Sequence, residues 1–181
     1  ARGDFGNSEQ VVLVDDEGTP IGVANKATVH HDNTPLHLAF SCHVFRPDGK
    51  VLITRRALTK KTWPGVWTNA VCGHPAPEED TKDAIQRRVR HEIGLDITDI
   101  TAVLPDFRYR AVDASGIVEN EICPVFTAHT SGEPSPRDDE ISEWEWVDPH
   151  VLRRSVTGTP FAFSPWLALQ LEQWPGDYEA V

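Results

Sequence analysis

One amphipathic helix constrains this chain more than any other feature. Over residues 79–93, Ile85, Val89 and Ile93 recur at every fourth position, a stripe that lines up on one side of a helix. Gly94 follows, and glycine ends helices because it adopts the left-handed conformation without a side-chain penalty. Arg88 and Glu92 stand four apart beside the stripe, so both emerge at the rim of the buried face, where a cleft can open. An acidic turn (Glu78, Glu79, Asp80) leads in, and just before it lie a thiol, Cys72, and an imidazole, His74.

Short strand runs surround this helix. Residues 11–14 read as a strand turned by Asp15-Asp16-Glu17-Gly18 into a second arm over 20–24. Residues 38–45 and 51–54 form a hairpin about Pro47-Asp48-Gly49. Trp63-Pro64-Gly65-Val66-Trp67 reads as a rigid aromatic loop, followed by an extended stretch over 68–74. Beyond the helix, 101–109 and 119–128 read as strands on either side of Asp113-Ala114-Ser115-Gly116, and 131–137 as a proline-rich loop. Residues 143–147 alternate Trp with Glu, as a half-buried strand does. Asp148 opens a short helix through Arg153, and Ser164-Pro165-Trp166 opens the last one, with Ser as cap and Pro as first helical residue. The expectation is a single compact α/β or α+β domain over 10–175, a mixed sheet flanked by helices, with a flexible tail over 1–9 and a C-terminal tail over 176–181.

A chain of 181 residues can bury a sizeable core in one domain. Its net charge of -11 leaves no broad basic field, which excludes nucleic acid as a partner. The basic residues gather instead in two clusters, Arg55, Arg56, Lys60, Lys61 and Arg87, Arg88, Arg90. Such clusters suit a local anion site; they also suit a solubilising surface. Cys42, Cys72 and Cys123 are an odd, sparse set, which argues against a disulfide framework and for a reducing compartment, the cytoplasm. No run has the length of a membrane helix and none reads as a signal peptide. The chain has no Met, so the initiator is expected to have been removed by processing or trimming. Arg2-Gly3-Asp4 matches an adhesion tripeptide by chance.

His30, His37, His74, Glu119 and Glu121 are candidate metal ligands. Glu119 and Glu121 are two apart on an expected strand, so their carboxylates share a face. Cys72 and His74 have the same relation. Three imidazoles and two carboxylates suit a divalent transition metal, though residue type and spacing alone fit surface histidines and a solvated acidic strand better. Cys72 has polar, reactive neighbours, and Gly73 permits close backbone approach. Cys42 and Cys123 sit in hydrophobic strands and read as inert core.

The pattern Gly73, Glu79, Arg87, Glu92, Gly94 and Leu95 is similar to the Nudix box, a loop–helix–loop whose glutamates hold Mg²⁺ on a diphosphate. The box has Glu where this chain has Arg88, and again where it has His91. The wider set Leu36-His37-Leu38-Ala39-Phe40, Thr54-Arg55-Arg56-Ala57-Leu58, Trp63 to Asn69, Cys72-Gly73-His74-Pro75, Phe107-Arg108-Tyr109-Arg110, Glu119-Asn120-Glu121 and Ser164-Pro165-Trp166 closely resembles the type I isopentenyl-diphosphate isomerases, bacterial branch.

That resemblance implies a Nudix-like fold and a set of roles. His30, His37, His74, Glu119 and Glu121 would bind one divalent transition metal, Mn²⁺ or Zn²⁺, with His31 the fallback for His30. Cys72 and Glu121 would be the acid/base pair, and Tyr109 would assist Glu121. Glu92 and the Cys72 carbonyl would hold Mg²⁺ on the diphosphate. Lys26, Arg56, Lys60 and Arg88 would grip its oxygens, and Trp67 and Trp166 would wall off water. The implied partner is a small isoprenoid diphosphate, with no membrane and no nucleic acid, and the chain a monomer or weak dimer. Two other readings compete. A Nudix hydrolase of a diphosphate would release phosphate, and a metal-stabilised binding module would turn nothing over.

Overall fold

The computed structural model describes residues 9–181; Arg2-Gly3-Asp4 and, Glu9 apart, the tail expected over 1–9 lie outside them. The central helix forms as α1, Thr81–Ile93. It begins two residues later than its expected start because Asp80 is its cap: the carboxylate accepts from the N–H groups of Lys82 and Asp83. Gly94 ends it at φ 71°, and its N–H donates back to the carbonyls of Val89 and Arg90.

Two mixed sheets carry the rest. The first runs β2 (Pro20–Asn25), β1 (Gln10–Val14), β3 (His37–Leu38), β10 (Val118–Ile122), β9 (Arg108–Val112). The second runs β12 (Ile141–Val147), β5 (Val51–Arg56), β4 (Phe40–Phe45), β11 (Val125–His129), β8 (Thr98–Leu104); β6 (Trp67–Asn69) adds to β5 and β7 (Val71–Gly73) to β4.

Three runs that read as single strands are in fact pairs that cross from one sheet to the other. Residues 38–45 break at Ala39, 119–128 at Cys123-Pro124, and 101–109 between Leu104 and Arg108. Pro124 and Pro105 lack an N–H and cannot continue a ladder, so each marks an exit. Two of the crossings run side by side: β3 pairs with β10 in parallel in the first sheet, and β4 with β11 in the second.

β4 is buried along its whole length, as a strand covered on both faces must be. Phe40, Cys42 and Val44 pack in one cluster with Ile85, Val89 and Ile93 of α1. Phe45 packs in the other, beneath α2 (Pro149–Gly158) and α3 (Pro165–Gln173). The second sheet is thus the middle layer between α1 and the pair α2 and α3. α2 runs past Arg153, where it was expected to stop, and a 3-10 turn at Pro160–Ala162 leads to Ser164, whose hydroxyl caps α3. Among the described residues no helix is long and apolar enough to cross a membrane.

Tyr178 lies in the stretch expected as a C-terminal tail, yet its side chain is fully buried. Its hydroxyl meets His43 Nδ1 at 2.6 Å, and its ring packs edge-on to Trp174 with centroids 4.8 Å apart. Tyr178→Ala is therefore expected to cost about 3–5 kcal/mol in denaturant unfolding, the range for deleting a buried aromatic; a loss under about 0.5 kcal/mol, as for a surface site, would mean that the segment is a tail.

His43 gives a pH dependence. Burial pushes its imidazole from 6.5 down to about 4, against the Gln170 hydrogen bond that raises it. Between those two values the unfolded chain binds a proton that the folded chain does not. Stability is therefore full above pH 6.5 and is lost as pH falls toward about 4, by up to about 3 kcal/mol. Unfolding curves at pH 7 and pH 4.5 are expected to diverge less in His43→Gln than in the wild type; equal divergence would remove His43 as a cause.

Candidate active site

Glu121 sits in β10 between two neighbouring strands, opposite Tyr109 of β9 and His37 of β3. Directly opposed residues project to the same face, so the carboxylate stands between a phenol and an imidazole. Glu119, two residues back, shares that face. His74 arrives from the other sheet, just past β7, and His30 from the loop after β2. His74 Nε2 lies 2.8 Å and His37 Nε2 3.3 Å from Glu121 Oε2, and His30 Nε2 lies 3.0 Å from Glu119 Oε2.

His74 Nε2 and Glu121 Oε2 satisfy each other, but several of the other converging atoms are left without a partner. The three imidazole centroids are 5.1, 5.8 and 5.2 Å apart. His30 Nε2, His37 Nε2 and Glu119 Oε2 are buried yet have no hydrogen-bond partner. The candidate ligand atoms of His30, His37 and His74, and those of His37, Glu119 and Glu121, each lie within 4.8 Å of one another. His37 Nδ1 donates to the Pro35 carbonyl at 2.9 Å, which leaves Nε2 as the ring nitrogen facing the group.

The electrostatics favour a cation. Burial, then the charge of Glu121, raises the carboxyl of Glu119. Burial also works against Glu121, but the His37 and His74 imidazoles outweigh it and hold this carboxyl well below the usual range. Burial pushes His74 down to about 4, which leaves it a neutral imidazole with a lone pair to give. Orphaned ligand atoms, three converging imidazoles and two adjacent carboxylates fit a divalent transition ion. His31, the alternative to His30, points outward to Asp32 and stays half exposed.

A cavity of about 560 Å³ opens beside this group, and Cys72, Tyr109, Glu121 and Trp166 all line it. Cys72 Sγ lies 3.2 Å from Ser41 Oγ and 3.6 Å from Asn69 Nδ2. Burial pushes the thiol up to about 12, with the charge of Glu121 adding to it and the Ser41 and Asn69 contacts opposing. The Tyr109 hydroxyl donates to Glu121 Oε1, and burial raises the phenol well above its ordinary value, so it keeps its proton.

The four expected cations, Lys26, Arg56, Lys60 and Arg88, all line the same cavity, and Lys61 lines it as well. Lys26 pairs with Glu9 at 3.1 Å, Lys60 with Glu140, and Arg88 with Glu92. Arg56 donates to the Thr62 and Trp63 carbonyls and lies 5.3 Å over the Trp166 ring. Trp67 departs from expectation: it is not part of the cavity wall but packs against the core and bridges to Phe163. Trp63, edge-on to Trp166 at 5.3 Å, is the second indole beside that wall. Ser41, Asn69 and Glu140 went unnoticed in the sequence. The hint for Asn69 was its place beside the aromatic loop; Ser41 and Glu140 carried none.

The NUDIX domain family matches residues 35–167. Solved structures agree on the fold: a Deinococcus radiodurans protein, DR0079, superposes with a TM-score of 0.71 at 16% identity, covering 92% of this chain and 99% of its own. A MutT NUDIX hydrolase from Burkholderia pseudomallei does so at 0.58 and 23% identity, over 76% of this chain and 97% of its own. Curated proteins narrow the class. Isopentenyl-diphosphate Delta-isomerases from Leifsonia xyli and Clavibacter michiganensis are 60% and 59% identical over 165 residues, 90% and 91% of this chain and 89% and 85% of theirs. The one from Corynebacterium glutamicum strain ATCC 13032 is 58% identical over 168 residues, 90% of this chain and 89% of its own. The chain belongs to the isopentenyl-diphosphate Delta-isomerase family of NUDIX-fold proteins.

His74 and Glu119 each supply one of the converging candidate ligand atoms, so removing either would open the set. His74→Ala and Glu119→Ala are each expected to lower affinity for an added divalent transition metal at least about 10–100-fold, as losing even an outer supporting partner does. In thermal scans with added metal, the wild type is expected to rise and the variants not. An equal rise in all three would place the ion elsewhere.

Proposed function

We propose that this enzyme interconverts isopentenyl diphosphate and dimethylallyl diphosphate. The reaction adds a proton at C4, removes one from C2 and passes through a tertiary carbocation. The observation that carries this reading is one cavity with a thiol, a carboxylate–phenol pair and a ring of cations. Cys72 is the base facing C2, acting as the thiolate that the Ser41 and Asn69 contacts and the Arg56 charge favour against burial. Tyr109 and Glu121 form the pair that delivers a proton to C4. Each positioned acid/base group contributes roughly 10²–10⁴ in rate.

The remaining residues serve the substrate's two ends. Lys26, Arg56, Lys60 and Arg88 take the diphosphate oxygens, which requires Glu9, Glu140 and Glu92 to yield some of their pairing. Glu92, with the Cys72 carbonyl, would hold Mg²⁺ there, screening the charge of the diphosphate. Trp166 shields the carbon end from water, and its face adds about 2 kcal/mol toward a desolvated cation, on the order of thirtyfold in rate. Mn²⁺ or Zn²⁺ on His30, His37, His74, Glu119 and Glu121 would fix that carboxylate and draw off its charge, making the shared proton easier to give. Three unpaired thiols suit a cytoplasmic enzyme, acting as a monomer or weak dimer.

A hydrolase is the weaker reading. Arg88 and His91, where the resemblance calls for metal-binding glutamates, both line the cavity, and Glu92 is tied to Arg88. With Mg²⁺ and Mn²⁺ in D₂O, NMR is expected to show isopentenyl diphosphate converting to dimethylallyl diphosphate with solvent deuterium; phosphate release without isomer would establish the hydrolase. Cys72→Ser is expected to keep metal and fold and to lose roughly 10²–10⁴ in turnover. A variant within a few-fold of wild type would mean the thiol is not the base.

A further inference from the structure

Behind the Cys72 sulfur runs a buried polar chain that the reaction as described does not use. Ser41 of β4 is the direct cross-strand partner of Cys72 in β7. Its hydroxyl has two acceptors within reach, Cys72 Sγ at 3.2 Å and Gln170 Oε1 of α3 at 3.3 Å. Asn69 Nδ2 donates to the same hydroxyl oxygen at 2.8 Å. Gln170 Oε1 also accepts from His43 Nε2 at 2.8 Å, and the other nitrogen of that imidazole meets Tyr178. Ser41, His43, Asn69, Gln170 and Tyr178 all have no exposed surface.

Stability alone does not call for such a chain. A buried hydrogen-bonded pair contributes little net, and apolar groups of the same shape would serve as well. Proton counting gives it a different use. Ser41 has one hydrogen, and Asn69 already donates to its oxygen. When the hydroxyl faces Gln170, its oxygen can accept from the Cys72 S–H. When the sulfur has no proton, the hydroxyl can turn and donate to it. Ser41 keeps its own proton throughout, and only its acceptor changes.

We propose that Ser41 is a positioning residue for Cys72, a hydroxyl rotor braced by Asn69 and Gln170 that serves the sulfur with and without its proton. The inference rests on the isomerase reading. A sulfur that gains and loses a proton in each turnover needs a partner able both to accept and to donate. Backbone N–H groups only donate and carbonyls only accept, but a hydroxyl does both. The substrate's diphosphate never meets Ser41, which lies behind the sulfur, so the effect belongs in kcat and not in KM.

The test is a cycle of Ser41→Ala in wild-type and Cys72→Ser backgrounds, read by NMR turnover of isopentenyl diphosphate, with thermal unfolding and metal content alongside. In the wild-type background kcat is expected to fall roughly tenfold to a hundredfold, the scale of a hydrogen bond to a charged group, with KM and metal content unchanged. Ser41→Thr, which keeps the hydroxyl, is expected to recover most of the loss. In the Cys72→Ser background Ser41→Ala is expected to change the residual rate by less than about twofold, since residues acting as a unit are not additive. Gln170→Met, which removes the brace, should show the same kcat-only signature at smaller size, and carries the test if Ser41→Ala does not fold. Unchanged kcat in a folded Ser41→Ala, or the same fold-loss in both backgrounds, would overturn the proposal. A wild type that makes no isomer, or a Cys72→Ser as fast as wild type, would instead overturn the isomerase reading.

Discussion

A carboxylate that is 5% exposed, Glu121, is the constraint on which the site depends. A buried charge is costly unless it is paired and hydrogen-bonded on several sides. Here the pairing comes from three directions: a phenol on one neighbouring strand, an imidazole on the other, and a second imidazole from the opposite sheet. None of these partners lies near Glu121 in sequence except Tyr109. The side-by-side crossing of β3 into β4 and β10 into β11 brings them together, because it sets the first sheet's ligands against the second sheet's Cys72 and His74.

The same crossing explains why Cys72 and the Tyr109–Glu121 pair share one cavity. Tyr109 and Glu121 belong to the first sheet, and Cys72 to the second, held by Ser41. The cleft lies where the two sheets part. α1 completes it from the other side: its buried stripe anchors the helix on β4, and Arg88, beside that stripe, reaches the cavity. Gly73 is needed for that approach. A Cβ there would lie 2.7 Å from the Phe40 ring and 3.1 Å from Arg88 Cγ.

Much of this was legible in the sequence, for identifiable reasons. α1 announced itself by its period and its glycine stop, and α3 by the Ser164-Pro165 signal. Glu119 and Glu121 share a face because strand alternation requires it. The sheet crossings were harder to see, since a continuous apolar run gives no sign that its hydrogen-bond partners change halfway; Pro105 and Pro124 were the available clues. The resemblance implies Trp67 as a wall, but its side chain packs against the core instead. Tyr178 was missed because a single aromatic among Gly, Asp and Glu has no periodicity. Ser41 and Gln170 meet across 129 residues, and such pairings leave no local mark.

Glu121 has two proposed duties, ligand and proton carrier, and Tyr109 only the second. Turnover of metal-replete Tyr109→Phe, with the metal measured in the same sample, separates them. The ring still fills its place in the core, so the ion is expected to remain at the wild-type level while turnover falls by roughly 10²–10⁴. Undiminished turnover, or loss of the metal along with the hydroxyl, would contradict the division of labour on which the account rests.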